Sequence, residues 1–431
     1  MAAVETVDTV ESPRLRRLVD EVRDEARNGR GPAGPGALDR FWRELAAEGA
    51  PLVEPVPYAP DERLVTVVWR ADRPAPGAPG SPVAGVYVMA NRVTDKVHAR
   101  RGMMRRLAGT DLWYVSLRLP LGLRCSYRIH PFGPDDPLLG AEGPRSGSAR
   151  GLPDDRTDPL NRHAGGPFGS LIEVGEVPSL AEWSARAPEP SAGRTDTYDV
   201  TAADGTAYRL HRHLPAGLPE RDAGLLVLLD GERWFGDFGV VGAITAAVAA
   251  GRIPPPAVLG VEAGGPAARM RQLGANPAFI DTLADELVPA ATAHLPARPA
   301  PRRTILCGQS LGGLTALTAA LRRPDAFGTV LAHSASTWWR PGMTARPRAV
   351  AADADTWLYE EAARAPVGDV TVRMDVGANE GTMVGHLRAL HTLMTERGFD
   401  ASLNVYTGGH DHCCWAAALM DGLTEVTGDL V

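Results

Sequence analysis

The sequence predicts an α/β fold in which a small all-β sandwich comes first and a domain with a mostly parallel sheet follows. Between residues 62 and 135, apolar and polar residues alternate in short stretches that are rich in β-branched and aromatic side chains and separated by Pro and Gly. A period of two is typical of strands with one buried face. After residue 197, continuous apolar runs alternate with helical patterns. That rhythm is typical of parallel strands covered by helices on both faces.

The length, charge and cysteine content exclude several classes of protein. The chain has 431 residues, 44% of them hydrophobic, and a net charge of −7. We therefore expect a soluble protein of more than one domain and no nucleic-acid partner. No run approaches the roughly 20 apolar residues of a membrane span, and the first residues lack the apolar segment of a signal peptide. Four cysteines are too few for a disulfide framework, so we expect a cytoplasmic protein.

We predict four segments along the chain. Residues 1–40 begin with a charged helical pattern and end in the break "GRGPAGPG", and we expect a mobile N-terminal segment. Residues 41–185 form the β-sandwich domain, whose expected strands are "RLVTVVWRAD", "AGVYVMANRV", "DLWYVSLRLP" and "LRCSYRIHP". The stretch "RAPEPSAGRTD" marks a linker at 186–196, and residues 197–431 form the α/β domain.

The α/β domain begins with a predicted hairpin, because Asp204 and Gly205 stand between two alternating stretches and favour a tight turn. The runs expected to form buried strands follow in the order "AGLLVLLDG", "PPPAVLGVEA", "RRTILCGQS", "FGTVLAHSAS", "VTVRMDVGANE" and "ASLNVYTGG". Active sites in such sheets lie at the carboxyl ends of the strands. Side chains just after these runs are therefore the first candidates for chemistry.

The stretch "CGQSLGG" places Ser310 at the centre of a G-x-S-x-G pattern, between the apolar run "TILC" and the helical pattern "GLTALTAALRR". A strand, a sharp turn and a helix are the context of a nucleophile elbow, in which a strained turn exposes the serine hydroxyl. Gly308 and Gly312 would let the strand and the helix approach closely. Ser310 is therefore the predicted nucleophile of an α/β-hydrolase fold.

A serine nucleophile needs a base and an acid that orients the base, and in this fold the acid and then the histidine follow the serine. Glu380 comes just after the run "VTVRMDVG", and Asp375 lies within it. Glu380 is the preferred acid because a loop at a strand end would project it, and Asp375 remains the alternative. The predicted base is His410, which follows the last run in "LNVYTGGH".

Two backbone N–H groups should stabilise the oxyanion that forms when the serine attacks a carbonyl group. One is expected from Leu311, the residue after the nucleophile. The second is expected from Gly231 or Glu232, which follow the buried run of "LLVLLDGERWF".

The cluster "HDHCC" at residues 410–414 suggests a rival hypothesis, because histidine and cysteine are good zinc ligands. A structural zinc site usually takes a second ligand pair from elsewhere, and the other two cysteines of the chain stand singly. We therefore predict no metal ligand here and expect Cys413 and Cys414 to be small packed residues at the start of a helix.

These motifs resemble those of the enterochelin (ferric enterobactin) esterase family from about residue 60 almost to the end of the chain. In the N-terminal part the resemblance lies in "TVVWRAD", "LAGTDLWYVSLRLP", "CSYRI" and "DPLN". In the later part it lies in "LLDGERW", "RMRQLGANPAFIDTLADELVP", "CGQSLGGL", "HSASTWWRP" and "GGHDHCCW". The double tryptophan and the tryptophan after "GGHD" are its more specific parts.

The resemblance implies a cytoplasmic serine esterase that cuts the triserine lactone of a catecholate siderophore. It gives Ser310 the role of nucleophile and His410 that of base, and it places the acid in the "GANE" segment that contains Glu380. No cofactor is implied, and iron enters only as part of the substrate.

A ferric catecholate siderophore is anionic and has planar rings, so arginines and aromatic faces suit it. The resemblance maps the family's basic pocket to Arg233 and to Arg269 or Arg271. The indoles expected to line the site, each with core packing as the alternative, are Trp234, Trp338, Trp339 and Trp415.

The sequence leaves three alternatives open. One is a feruloyl or other carbohydrate esterase, although such enzymes are usually secreted. Another is a non-catalytic relative that only binds a siderophore, which the complete set of Ser310, Glu380 and His410 disfavours. The third is a zinc protein built on residues 410–414.

Overall fold

The computed structural model describes most of the chain. The described ranges are 10–27, 36–71, 83–108, 110–134, 136, 139–140, 143–144, 156–184, 193–220, 223–295, 297–344 and 356–428. Parts of the predicted N-terminal segment (1–9 and 28–35) and most of the predicted linker (186–192) lie outside them.

The chain divides into two compact units. The first contains Met1–Val177 and Thr407–Asp411, and the second contains Pro178–Tyr406 and His412–Val431. The division before Pro178 comes earlier than the predicted linker at 186–196. The division comes earlier because the residues just after Pro178 pack against side chains of the second unit.

Two side chains show this packing. The Trp183 ring centroid lies 5.6 Å from that of Trp234. Glu182 is ion-paired with Arg252 and is 9% exposed. Both contacts are with residues well inside the predicted α/β domain.

The first unit contains a sandwich of two antiparallel sheets. One sheet has the strand order β1-β2-β5-β4 and the other has the order β3-β6-β9. The strands of the first unit are β1 (Leu52–Pro55), β2 (Glu62–Arg70), β3 (Gly85–Ala90), β4 (Arg105–Arg106), β5 (Leu112–Pro120), β6 (Arg124–Phe132), β7 (Leu139–Gly140), β8 (Gly143–Pro144) and β9 (Ser170–Glu173). The short strands β7 and β8 pair with each other. The four strands that alternation predicted are β2, β3, β5 and β6.

Alternation places one face of each strand in the core of the sandwich. Val65 and Val67 of β2 pack with Val86 and Val88 of β3 and with Ile129 of β6. All five are at most 1% exposed. Burial of these side chains stabilises the sandwich by roughly 1.5–3 kcal/mol each.

The structure differs from the predicted mobile N-terminal segment. The helices α1 (Pro13–Arg27) and α2 (Ala37–Glu48) share an apolar cluster with residues of the four-stranded sheet, and Leu15 and Leu45 are fully buried in it. The hydroxyl of Ser12 accepts the Leu15 N–H at 3.2 Å and so caps α1. The charge of this stretch suggested mobility, but its apolar residues recur at helical spacing and bury one face.

The second unit is built on an eight-stranded sheet with the order β10-β11-β13-β12-β14-β15-β16-β17. Its strands are β10 (Gly193–Thr201), β11 (Ala207–Pro215), β12 (Leu225–Leu229), β13 (Ala257–Val261), β14 (Thr304–Gln309), β15 (Thr329–His333), β16 (Thr371–Gly377) and β17 (Asp400–Tyr406). The hairpin of β10 and β11 is antiparallel, and β11 pairs antiparallel with β13. The strands from β12 onward pair in parallel.

Helices connect the parallel strands, and one more helix follows the last strand. They are α3 (Val240–Ala249), α4 (Pro266–Leu273), α5 (Pro277–Thr282), α6 (Val288–Thr292), α7 (Leu311–Arg322), α8 (Trp357–Arg364), α9 (Thr382–Glu396) and α10 (His412–Gly428). Every residue of β12, β13, β14 and β15 is buried, which explains why these strands are continuous apolar runs in the sequence. Among the described helices, none is long and apolar enough to cross a membrane. The predicted fold class is confirmed.

Candidate active site

Ser310 occupies the sharp turn between β14 and α7. Its backbone has φ 59° and ψ −115°, a region that residues other than glycine rarely adopt. The Ser310 N–H donates to the carbonyl of His333 at 2.9 Å and so bonds the turn to the end of the neighbouring strand. A backbone of this kind stores about 1–3 kcal/mol and persists where the surrounding structure fixes it. Ser310 is half-buried, as a nucleophile at an elbow should be.

The close approach of β14 and α7 requires glycine at the elbow. A Cβ atom on Gly308 would lie 2.2 Å from the carbonyl oxygen of Gly312. On Gly312 itself, a Cβ would make only ordinary contact, 3.5 Å from the nearest atom of Leu229. A Cβ on Gly313 would meet the carbonyl oxygen of His333 at 2.9 Å. The steric demand therefore falls on Gly308 and Gly313.

We expect Gly308→Ala to lower the free energy of unfolding by about 3 kcal/mol, because the new methyl group would push α7 away from β14. Chemical denaturation of the variant and the wild-type protein measures the difference. Gly217→Ala is the matched control, since a Cβ there meets nothing within 4 Å, and its stability should be unchanged. Equal stability of Gly308→Ala and the wild type would contradict the close packing of the elbow.

The residues predicted to supply oxyanion donors lie at the carboxyl ends of adjacent strands. Leu311 is the first residue of α7, and the first N–H groups of a helix have no partner within it. Gly231 and Glu232 begin a helical turn after β12, which pairs with β14. A Cβ on Gly231 would lie 2.5 Å from the backbone of Gly260, so only glycine fits there.

Arg269 forms hydrogen bonds to the turn that precedes Gly231 and to the turn that precedes Ser310. Its guanidinium donates to both carboxylate oxygens of Asp230, at 2.5 and 2.7 Å, and to the carbonyl oxygen of Gln309 at 3.3 Å. Asp230 precedes Gly231, and Gln309 precedes Ser310. Arg269 therefore joins the turn after β12 to the turn that carries Ser310.

The other two predicted arginines are more exposed. Arg271 is exposed and lines a cavity of about 560 Å³ together with Met270 and Met343. Arg233 has half of its side chain exposed, pairs with Asp237 at 2.7 Å and lies over the ring of Phe238. Of the pair that the resemblance left open on α4, Arg271 is thus the more accessible.

Glu380 ends a 3-10 turn, Ala378–Glu380, that directly follows β16. It is only 3% exposed. Its Oε1 accepts the hydroxyl proton of Ser334 at 2.5 Å and the N–H of Gly377 at 2.9 Å. A buried carboxylate with two donors on one oxygen is held in a defined orientation, as an orienting acid must be.

Asp375, the alternative acid, lies inside β16 and is fully buried. Its Oδ1 accepts from Asn404 at 2.8 Å, and the Arg373 guanidinium donates to both of its oxygens at 3.2 and 3.3 Å. These partners engage the whole carboxylate inside the sheet. The geometry therefore favours Glu380 over Asp375.

His410 lies on the segment Thr407–Asp411, which joins β17 to α10 and belongs to the first unit by its contacts. The amide of Asn91 donates to the His410 carbonyl at 3.0 Å. The N–H and the hydroxyl of Ser126 both donate to the Asp411 carboxylate at 2.7 Å. These bonds fix the backbone that carries the imidazole.

Two other histidines are unsuited to proton transfer with substrate. His333 is fully buried, and burial lowers its pKa to about 4, so the ring is neutral at physiological pH. His386 is 3% exposed, and its Nδ1 lies 3.2 Å from the hydroxyl of Thr337. Both side chains pack inside the second unit.

The cluster that suggested zinc is made of packed side chains. Cys413 and Cys414 are 0% and 6% exposed at the start of α10. The ring of His412 lies 4.6 Å from that of Phe238 and 4.7 Å from that of Trp415. In the part of the chain that the structure describes, no group of three or more His, Cys, Asp or Glu side chains is arranged to hold a metal ion.

Three of the four predicted substrate-binding tryptophans are buried. Trp234, Trp339 and Trp415 are 1%, 2% and 4% exposed. Trp338 is half-buried and meets Trp339 edge to face at 5.6 Å. Core packing, the alternative for each indole, thus describes three of them, and Trp338 alone of the four offers a partly open ring.

Two serines that the sequence did not single out lie in "HSAS", at the end of β15 and just after it. The Ser336 hydroxyl lies 3.1 Å from that of Ser310, and its N–H donates to the Ser310 carbonyl at 2.9 Å. Ser334 donates to Glu380. Both are polar residues after a buried strand, so the criterion that selected Glu380 could have found them.

Comparison with known proteins covers both units. Residues 202–426 match the family model described as "Putative esterase", and residues 64–183 match "Enterochelin esterase, N-terminal". An iron(III) salmochelin esterase of Escherichia coli O6:H1 (strain CFT073) is 37% identical over 91% of this chain and 94% of that protein. An iron(III) enterobactin esterase of Dickeya dadantii (strain 3937) is 30% identical over 91% of this chain and 93% of that protein.

The structure of this chain is also similar to solved structures of enterobactin esterases. The enterobactin esterase of Shigella flexneri, crystallised in the presence of enterobactin, has a TM-score of 0.76 and 25% identity, covering 91% of this chain and 99% of that one. The ferric enterobactin esterase of Salmonella typhimurium has a TM-score of 0.75 and 26% identity, with the same coverage.

The fold and the strained serine define a hydrolase of the α/β-hydrolase class. The matched family models make it an esterase. The chain belongs to the enterochelin (ferric enterobactin) esterase family, as its motifs predicted.

Proposed function

We propose that this chain hydrolyses the ester bonds of the triserine lactone of a catecholate siderophore such as enterobactin, with the ferric complex as substrate. The strained turn at Ser310 carries the proposal, because it gives an esterase of this family its nucleophile. The names of the relatives support the substrate class, since those that match over nine-tenths of this chain are esterases of iron(III) salmochelin and iron(III) enterobactin.

In the proposed reaction, Ser310 Oγ attacks a seryl ester carbonyl while His410 takes the hydroxyl proton. Glu380 orients the imidazole and balances the charge that it gains. The N–H of Leu311 and an N–H of Gly231 or Glu232 stabilise the oxyanion.

The oxyanion then collapses and the ester C–O bond breaks. His410 returns its proton to the serine oxygen that leaves the lactone, which gives a free hydroxyl and an acyl-enzyme on Ser310. A water molecule, deprotonated by His410, hydrolyses this ester and restores the Ser310 hydroxyl. The net change is the addition of one water across one ester bond.

Two arginines and one indole suit the substrate. Arg271 and Arg233 are exposed enough to pair with catecholate oxygens. Arg271 forms no ion pair within the described part of the chain, and so its guanidinium is the better candidate. Trp338 can offer a partly open face to a catechol ring.

The reaction needs no cofactor in this proposal, and iron enters only as part of the substrate. Opening the lactone separates the catecholate arms and weakens the chelate. We place the reaction in the cytoplasm, and the cysteines support that compartment. Cys125, Cys307, Cys413 and Cys414 are all buried thiols outside any disulfide, as is usual under reducing conditions.

The test is hydrolysis of a panel of catecholate trilactones, each ferric and iron-free, with products identified by mass. We expect the linear trimer or smaller products, and faster turnover of the ferric forms. A feruloyl ester is the control substrate and should be hydrolysed poorly. Turnover of the feruloyl ester with no turnover of any trilactone would contradict the proposal.

A further inference from the structure

Ser334 is a fully buried serine with an unusual backbone at the end of β15. Its φ is 47°, a left-handed value that residues other than glycine seldom adopt. Its N–H donates to the carbonyl of Asp375 at 2.7 Å, which fixes it to the neighbouring strand. A strained and buried polar residue that the reaction itself does not use needs a separate explanation.

The hydroxyl of Ser334 lies between a tryptophan and the proposed acid. The indole Nε1–H of Trp415 donates to Ser334 Oγ at 2.8 Å, and Ser334 Oγ donates to Glu380 Oε1 at 2.5 Å. The hydroxyl of Tyr406 is 3.3 Å from Ser334 Oγ. All four residues belong to the second unit.

The chemistry of the end groups fixes the direction of this chain of hydrogen bonds. An indole N–H can only donate and an ionised carboxylate can only accept. The single proton of Ser334 must therefore point to Glu380, while its oxygen accepts from Trp415. Burial raises the pKa of Tyr406 well above its usual range, so its hydroxyl keeps its proton and can also donate to Ser334.

We infer that Ser334 and Trp415 are positioning residues of the esterase reaction, and that they act by orienting the carboxylate of Glu380. The inference rests on the proposed function, in which Glu380 is the acid. It gives Trp415 a different role from substrate stacking, in agreement with its burial. The Gly377 N–H supplies the second bond to the same oxygen, so the plane of the carboxylate is set from two sides.

The hydrogen bond from Ser334 restricts the rotation of the Glu380 carboxylate. Without the Ser334 hydroxyl, Oε1 of Glu380 keeps the backbone N–H of Gly377 but loses its side-chain donor, and the carboxylate can rotate about its side-chain torsions. The imidazole that it orients then loses its preferred geometry at the moment when it must accept a proton. Substrate binding does not depend on this orientation, so the loss falls on kcat and leaves KM unchanged.

The test is a double-mutant cycle between Ser334→Ala and Glu380→Ala, with kcat and KM measured on a catecholate trilactone and the chemical step followed by single-turnover kinetics. Alanine keeps the Cβ of serine, so the strain at φ 47° is the same in the variant. We expect Ser334→Ala to lower kcat by about 10- to 100-fold in the wild-type background. In the Glu380→Ala background we expect no further loss, because the group that Ser334 orients is gone.

Two further variants separate positioning from folding. Ser334→Ala removes the Ser334 acceptor of the buried Trp415 N–H. Adding Trp415→Phe should recover the stability lost to that N–H, less the cost of the smaller ring, and leave kcat low. Thr337→Val removes another buried hydroxyl three residues along, whose partner is His386, and its kcat should equal that of the wild type.

The outcomes are distinct. Equal losses from Ser334→Ala in both backgrounds, or recovery of kcat together with stability when Trp415→Phe is added to Ser334→Ala, would overturn the inference. Neither result would contradict the proposed function. Full activity of Glu380→Ala would instead overturn the role of Glu380 in the proposed function itself.

Discussion

Ser310→Ala should lower kcat for siderophore hydrolysis by about a million-fold, the loss typical of removing the nucleophile of a serine hydrolase. The variant should still fold, because alanine adopts the backbone of the turn as well as serine does. It should also still bind the ferric substrate, since the arginines and the indole proposed to hold it are unchanged. Single-turnover kinetics and quenching of tryptophan fluorescence by the ferric siderophore measure the two properties.

Ser336→Ala is the matched comparison for this prediction. Its hydroxyl lies 3.1 Å from that of Ser310. The residue is only 1% exposed and does not stand at the turn between β14 and α7. We expect this variant to keep its reaction with a fluorophosphonate probe, while Ser310→Ala does not react. Full hydrolysis by Ser310→Ala would remove the basis of the proposed mechanism.

Glu380→Gln should lower kcat by about ten-thousand-fold with little change in KM, because a neutral amide cannot hold the imidazole in the required tautomer or balance its charge. The change is isosteric, so the free energy of unfolding should fall only slightly. The kinetic constants and a denaturation curve for the same preparation test both statements.

Asp375→Asn is expected to behave in the opposite way. Asp375 is fully buried and accepts hydrogen bonds from Arg373 and Asn404. Loss of its charge weakens these bonds, while Arg373 keeps its ion pair with Glu425, so we expect a cost of about 1–3 kcal/mol. Stability should fall while the folded fraction keeps its kcat. If Asp375→Asn lost kcat and Glu380→Gln kept it, the assignment of the acid would be reversed.

Much of the fold could be predicted from the sequence because its signals are local. The strands β12 to β15 are buried on both faces and read as continuous apolar runs. The elbow was found for the same reason, since strand, glycine-rich turn and helix are consecutive in the chain. The predictions of His410 as base and Glu380 as acid rest on the order in which the strands end.

The parts that could not be predicted depend on contacts between distant residues. The apolar residues of α1 recur at helical spacing, but the surface that they pack against comes from distant parts of the first unit. Trp415 stands five residues after the predicted base and so suggested a pocket wall, yet its N–H bonds to a hydroxyl 81 residues away in sequence. Ser334 follows a buried strand, as Glu380 does, but its hydrogen bond to Glu380 is visible only in the structure.

The most direct measurement is the turnover of a ferric catecholate trilactone as a function of the fraction of protein labelled by a fluorophosphonate, with the labelled peptide located by mass spectrometry. We predict that the label lies on Ser310 and that turnover falls in proportion to the labelled fraction, reaching zero at full labelling. Full turnover by protein that is completely labelled at Ser310, or labelling at another residue that abolishes turnover, would contradict the account.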